Sequence, residues 1–306
     1  MNTRIDWMDS LVTFPELPFT PEEVSSAFPE LIVEMPELGR GSFKVAYTAY
    51  ANGDVRVLKV INSFPILGDP DDFDLNSIPD RITREIAGMT ATSCPHLVTL
   101  LGEPQVRQIG SASYLSYEEP LYPGGTLEER LHVGALDSAD ARELVVALLT
   151  ASKALWNSAG IVHRDIKPGN IVYSDEGVPV LLDLGLALYT TMSSLTNSGL
   201  SSPRTDRYAA PEQFELRREA KIDFRTDQYL IGIVGFEALL GRHPFWDPTV
   251  TLNEYFDRMQ TFSAETMDEV SGEDDLKGVI ARLLAPKPYR RFRTVDAPLV
   301  ELGVTL

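Results

Sequence analysis

Between Val162 and Asn170 the sequence Val-His-Arg-Asp-Ile-Lys-Pro-Gly-Asn gathers a base, cations and a metal-type ligand into one short stretch. Pro168 pushes Lys167 out of helical space and Gly169 allows a tight turn, so the stretch is a shaped loop. It is either a solvated polar loop whose charges need no partners or a set of reacting groups. Farther on, Leu182-Asp183-Leu184-Gly185 sets a carboxylate directly after an apolar run. Asp183 and Asn170 together supply oxygen ligands of the kind magnesium takes, with phosphates and waters completing its shell. Nearer the start, Lys59 stands in Val55-Arg56-Val57-Leu58-Lys59-Val60-Ile61. A lysine among aliphatics is costly to bury unpaired, so it either snorkels to water or meets anions such as Glu85 and a bound phosphate. The glycines of Leu38-Gly39-Arg40-Gly41-Ser42-Phe43-Lys44-Val45 either make an ordinary hairpin turn or let backbone amides approach phosphates.

These groups need elements to hold them. Short β-like runs at Lys44 to Tyr50, Val55 to Ile61, Leu97 to Leu101 and Tyr114 to Tyr117 surround one helical stretch at Arg81 to Met89, where Ile82, Glu85, Ile86 and Met89 share a face. Period-two geometry puts Val55, Val57, Lys59 and Ile61 on one face of their strand. Past Gly124-Gly125 the period becomes helical, first in Ser138 to Ser158, whose apolar stripe Gly160 terminates. Ile171-Val172-Tyr173 and Val178 to Leu182, joined by Ser174-Asp175-Glu176-Gly177, read as a hairpin that brings Asn170 and Asp183 together at its open end. Helical signals resume at Pro211, and the apolar run Tyr229 to Leu240 reads as a buried helix.

The bulk composition narrows the field. Of 306 residues, 43% are hydrophobic and 9% aromatic, which suits a folded chain with a sizeable core. With 27 basic against 45 acidic residues the formal charge is −18, which disfavours nucleic acid and anionic membranes as partners. Cys94 is the single cysteine, so an intramolecular disulfide and a cysteine-only zinc site are excluded and a cytoplasmic, reducing setting is expected. The start of the sequence lacks the apolar run of a secretory signal, and the run to Leu240 is too short to span a bilayer. Residues Met1 to Leu38 hold eight acids, one base and five prolines, and are expected to form an acidic extension, partly ordered at best. His96, His132 and His243 stand apart and are assigned no chemistry.

Taken in order, the residues resemble the eukaryotic-type Ser/Thr protein kinase family. Gly39, Gly41 and Val45 resemble its nucleotide loop, Lys59 its strand lysine and Glu85 the helix partner of that lysine. His163-Arg164-Asp165 through Asn170 is similar to its catalytic loop. Asp183-Leu184-Gly185 stands where the family has Asp-Phe-Gly, and Ala210-Pro211-Glu212 resembles the end of its activation segment. Asp227 and Arg291 resemble, respectively, the buried anchor of a large-lobe helix and the arginine that pairs with that segment's glutamate. The resemblance runs from about Leu38 to Phe292. It implies an α+β, two-lobed kinase-like fold: an extension at 1–31, a small β-rich lobe with one helix at 32–118, and a larger, mainly helical lobe at 119–306.

The resemblance also implies roles. ATP would have its adenine between Val45 and Val57, near Glu118 and Val172, with Lys59, held by Glu85, gripping the α/β-phosphates. Asn170 and Asp183 would hold Mg²⁺. Asp165 would accept the proton of a substrate hydroxyl, Lys167 would neutralise the γ-phosphate, and Thr205 would support both, a set that goes with Ser/Thr hydroxyls of protein substrates, the chain itself among them. Phosphate on the tract Tyr189 to Ser198 would pair with Arg164, unless that tract is simply a Ser/Thr-rich loop. Three features depart from the pattern: Lys44 replaces the third loop glycine, Leu184 replaces a phenylalanine, and an acidic insert lies between Lys59 and Glu85. The alternatives are a scaffold lacking catalysis, to which Lys44 points, and a small-molecule kinase of related fold, against which Lys167, Thr205 and Ala210-Pro211-Glu212 stand.

Overall fold

The computed structural model describes residues 16–41, 44–62, 90, 92–183, 207–214, 222–267 and 274–305. The chain divides into two compact units, Met1–Asp74 with Leu100–Leu121 and Leu75–Thr99 with Tyr122–Leu306. The helical stretch at 81–89 lies outside the described residues.

The first unit is built on an antiparallel sheet of β1 (Ile32–Val33), β2 (Gly39–Arg40), β3 (Lys44–Ala51), β4 (Asp54–Ile61), β5 (Gln105–Ile109) and β6 (Ala112–Pro120). Its order is β1-β3-β4-β6-β5, with β2 also on β3. Asn52 and Gly53, both at positive φ (53° and 91°), close the β3–β4 hairpin, the conformation for which Asn-Gly turns are selected. β5 carries a mixed sequence, QVRQI, with little apolar alternation to announce it; its pairing with β6 makes it a strand.

The described part of the acidic extension, from Glu16 on, carries regular structure. Helix α1 (Pro21–Ala27) begins with a reciprocal cap: Thr20 Oγ1 accepts from the Glu23 amide at 3.2 Å while Glu23 Oε2 accepts from the Thr20 amide at 2.7 Å. Pro21 sits in the first turn, where the missing N–H costs nothing, so a proline that forbids a long helix helps start a short one. Phe19, Val24, Phe28 and Leu31 then pack into one buried cluster with Val45, Tyr47, Ala49, Leu58, Val60, Ile109 and Tyr114.

In the second unit, α2 (Leu127–Val133), α3 (Ser138–Ala159), α4 (Phe224–Leu240), α5 (Leu252–Thr261), α6 (Asp274–Leu283) and α7 (Ala297–Glu301) accompany a hairpin, β7 (Ile171–Tyr173) with β8 (Pro179–Leu181). Asp137 caps α3, and Gly160 ends it in the left-handed conformation at φ 62°. Helix α4 is buried almost throughout, from Thr226 to Phe236, and forms the centre of the unit, with its polar residues gathered in the first turns and at Glu237. At Gly235 a Cβ would come within 2.8 Å of Val145 and 3.2 Å of Ile280, so this glycine lets α4 approach both α3 and α6. The expected strand Leu97 to Leu101 reduces to an isolated bridge from Leu97 to Leu181, with the Val98 amide donating to Leu181 O at 3.0 Å. Its apolar residues are used to pin the hairpin.

Phe28 is 2% exposed and belongs to the cluster between α1 and the sheet. Phe28→Ala is expected to cost about 3–5 kcal/mol of unfolding free energy, measured by denaturant titration. A loss below about 1 kcal/mol would mean that α1 is not part of this unit's core.

Candidate active site

In the first unit the strand register decides which side chains keep company with Lys59. Ala46 pairs with Lys59 and Thr48 with Val57, whereas Val45 pairs with Val60 and Tyr47 with Leu58. Directly paired residues share a face, so Val57 and Lys59 lie on one side of the sheet and Val45 on the other, buried in the α1 cluster. Val45 is therefore misplaced as a partner of Val57 across a base, and Ala46 holds the corresponding position on the Lys59 face. Glu118 needs the same correction. It pairs with Leu58 in the ladder, its carboxylate meets Arg56 Nη1 at 2.8 Å, and its carbonyl accepts from Leu101 N at 2.9 Å. The neighbouring Glu119 is the acid on the Lys59 side: its Oε2 lies 2.7 Å from Lys59 Nζ.

Gly39 and Gly41 do form a hairpin, with Gly39 paired to Ala46 and the Gly41 amide donating to Lys44 O at 2.9 Å. A Cβ on Gly39 would meet nothing within 4 Å, and one on Gly41 only Lys44 O at 3.6 Å. Protein atoms leave open space over these two glycines, which fits approach by a ligand.

In the second unit the loop is assembled from below. Asp227, fully buried on α4, accepts from the amides of His163 and Arg164, each at 2.8 Å, with Ser152 Oγ at 3.4 Å. This grip holds Arg164 at φ 68°, a conformation that costs a non-glycine residue on the order of 1 kcal/mol or more. Burial raises the Asp227 carboxyl above the usual range, opposed by His163, Arg164 and their amides. His163, fully buried, accepts from the Asp165 amide through Nδ1 at 3.3 Å and donates through Nε2 to Leu182 O at 2.9 Å. The histidine thus ties the loop to Leu182, the residue that precedes Asp183.

At the loop itself, Lys167 is extended and a 3-10 turn runs from Pro168 to Asn170. Lys167 Nζ lies 2.9 Å from both carboxylate oxygens of Asp165, and Asn170 Nδ2 donates to Asp165 O and Oδ2, each at 2.8 Å. Both amide hydrogens of Asn170 are directed at Asp165, so Oδ1 is the atom it has for a cation. Leu182 N donates to Asn170 O at 2.8 Å, which brings the ends of the hairpin together and sets Asp183, at φ 57°, beside the loop. An amide oxygen and a carboxylate are a hard donor set that fits Mg²⁺. Among the described residues no group of three or more His, Cys, Asp or Glu is placed to hold a metal ion. Val172 is buried in β7 opposite Val180.

Below the loop the segment 207–214 is fixed by the expected Glu212–Arg291 pair and by groups with no sequence signature. Glu212 meets Arg291 through two contacts, Oε1 to Nη1 at 2.7 Å and Oε2 to Nη2 at 2.9 Å, both residues buried, and Thr226 Oγ1 donates to Glu212 Oε1 at 2.9 Å. Gln213 Nε2 donates to Arg164 O at 3.2 Å, joining the segment to the loop. His243 Nε2 and Tyr255 Oη both donate to Arg207 O at 2.9 Å, while His243 Nδ1 accepts from the amides of Phe245 and Trp246 at 3.1 Å. Tyr208 Oη donates to Glu237 Oε2 at 2.6 Å, and burial pushes the phenol and the carboxyl upward. His243, assigned no chemistry from the sequence, is thus a structural anchor. Of the other expected site residues, Glu85, Thr205, Leu184 and Gly185 lie outside the described residues, as does the tract 189–198.

A family profile described as Protein kinase domain matches residues 32–298. The chain belongs to the protein kinase family. Similar proteins include a probable serine/threonine-protein kinase PknB of Bifidobacterium longum, 36% identical over 54% of this chain and 24% of its own length. The DNA damage-responsive serine/threonine-protein kinase RqkA of Deinococcus radiodurans is 32% identical over 75% of this chain and 32% of its own. The chain thus spans less than half the length of these relatives. A crystal structure of Rad53 1-466 in complex with AMP-PNP superposes with a TM-score of 0.67 over 91% of this chain and 66% of the other, at 21% identity, which establishes the two-lobed kinase fold.

Burial lowers the His243 imidazole from 6.5 to about 3, with Arg207 adding to the effect. The unfolded chain therefore takes up a proton below pH 6.5 that the folded kinase domain refuses, and stability falls on acidification from 6.5 toward 3, by up to about 1.4 kcal/mol per pH unit from this residue. Denaturant unfolding of wild type and His243→Gln across that window is expected to show the flatter pH slope in the variant. Equal slopes would remove the buried neutral imidazole from the account.

Proposed function

We propose that the protein transfers the γ-phosphate of Mg-ATP to Ser or Thr hydroxyls of protein substrates, itself among them. The observation that carries this reading is the Asp165 carboxylate, held at once by Lys167 Nζ and by Asn170 Nδ2 on a loop anchored from beneath by Asp227. A carboxylate so placed accepts the proton of an attacking hydroxyl and orients it for in-line attack. Lys167, already within reach of Asp165, offsets negative charge on the transferring group. Lys59 supplies a second cation for the phosphates, and the open space at Gly39 and Gly41 suits approach of phosphate oxygens to backbone amides. Asn170 and Asp183 would hold Mg²⁺, which when bound neutralises charge across the nucleotide's terminal oxygens.

The choice of Ser/Thr acceptors is supported by the names of the relatives and by the Lys167-Pro168-Gly169-Asn170 stretch of the loop. Protein substrates are favoured over small molecules by the buried Glu212–Arg291 pair, which fixes the segment carrying Ala210 and Pro211 next to the loop through Gln213. A cytoplasmic setting agrees with the single thiol, Cys94, which is buried and free. Among the described residues no helix is long and apolar enough to cross a membrane.

The test is Mg²⁺-dependent transfer from labelled ATP to the protein itself and to a generic Ser/Thr acceptor. Asp165→Asn is expected to lower kcat by about two decades or more with an unchanged circular dichroism spectrum. Absence of transfer by wild type, with nucleotide binding retained, would overturn the reading in favour of a scaffold.

A further inference from the structure

Glu119 is an acid in the interior of a sheet, 2% exposed, and its position is set by register alone. It pairs with Val57 in the β4–β6 ladder while Tyr117 pairs with Lys59, so Glu119 and Lys59 are diagonal neighbours on one face. Long side chains bridge that diagonal, and Oε2 lies 2.7 Å from Nζ with both side chains withdrawn from water. Arg56, three residues before Lys59, and Glu118, next to Glu119, make the corresponding diagonal pair on the opposite face, in a more exposed setting. The two adjacent acids therefore do different work: Glu118 closes a pair near the surface, and Glu119 places a negative charge against a cation that would otherwise be costly to bury.

Both ends of the Lys59–Glu119 pair are on hydrogen-bonded neighbouring strands. Their separation is fixed by the ladder and does not depend on where the segment bearing Glu85 lies. We infer that Glu119 is a positioning residue for the nucleotide's phosphates, acting through Lys59: from within the sheet it keeps the ammonium oriented along the Val57 face and ready for phosphate. The inference rests on the kinase reading above, in which Lys59 meets those phosphates, and it adds a second carboxylate to the Glu85 expected from the resemblance. Its signature is selectivity for the phosphate half of the ligand. ADP and ATP feel the loss of Glu119, and adenosine, which offers Lys59 nothing, does not.

The experiment measures the Kd of the full chain for ADP, ATP and adenosine in wild type, Glu119→Gln, Lys59→Met and the double variant, with melting temperatures recorded for each. Glu119→Gln is expected to weaken ADP and ATP about tenfold, raise KM for ATP in proportion with a smaller change in kcat, and leave adenosine unchanged. In the Lys59→Met background Glu119→Gln is expected to have no further effect on ADP. If Glu119→Gln folds poorly, Glu119→Met, of similar volume and without polar atoms, is expected to show the same phosphate-selective loss. Unchanged ADP affinity in a folded Glu119 variant, or an equal loss for adenosine, would overturn the inference while leaving the role of Lys59 intact. Unchanged ADP affinity in Lys59→Met would overturn the reading of Lys59 itself, and the inference with it.

Discussion

One buried carboxylate organises the site. Asp227 has no water to solvate it, and the backbone amides of His163 and Arg164 take water's place. Leaving those amides unpaired in the interior would cost about 1–3 kcal/mol each, and this offsets the left-handed backbone at Arg164 and the burial of the acid. From that anchor the rest follows by contact. His163 reaches Leu182 ahead of Asp183, Asp165 follows it, and Gln213 takes up the Arg164 carbonyl from the neighbouring segment. Reactive groups on a loop need such support because the loop's own backbone supplies little.

The same arrangement recurs at the other cations. Arg291, almost fully buried, satisfies its guanidinium on Glu212 and on the carbonyls of Ala285, Pro286 and Arg225, and lies over the Tyr229 ring at 4.5 Å. A charge so fully satisfied serves as a rigid strut for the segment at 207–214. Lys59 in the first unit is also withdrawn from water, and its partner Glu119 comes from a neighbouring strand. Lys167, by contrast, keeps its side chain 39% exposed.

What the sequence made legible divides along physical lines. The loop from His163 to Asn170 could be read because its groups are adjacent and Pro168 and Gly169 fix its shape locally. The hairpin that joins Asn170 to Asp183 could be read because Ser174 to Gly177 is a local turn. The faces around Lys59 could not, because a register is a property of two strands. Val45 and Ala46, or Glu118 and Glu119, are indistinguishable until their partners Val60, Lys59, Leu58 and Val57 are known. Helix α1 was hidden by acids and prolines that dominate composition, although its apolar residues alone reach the core. His243 had no local signal, since all three of its hydrogen bonds go to backbone atoms, one of them on a distant segment.

The central claim is that Asn170 and Asp183, brought together by the Leu182 to Asn170 hydrogen bond, hold a divalent cation against a nucleotide's phosphates. The most direct measurement is calorimetric titration of ATP with and without Mg²⁺, in wild type and Asp183→Asn. The account requires Mg²⁺ to tighten ATP binding by about tenfold or more in wild type, with most of that gain lost in the variant. Equal affinity with and without Mg²⁺ in wild type, or an undiminished gain in Asp183→Asn, would contradict it.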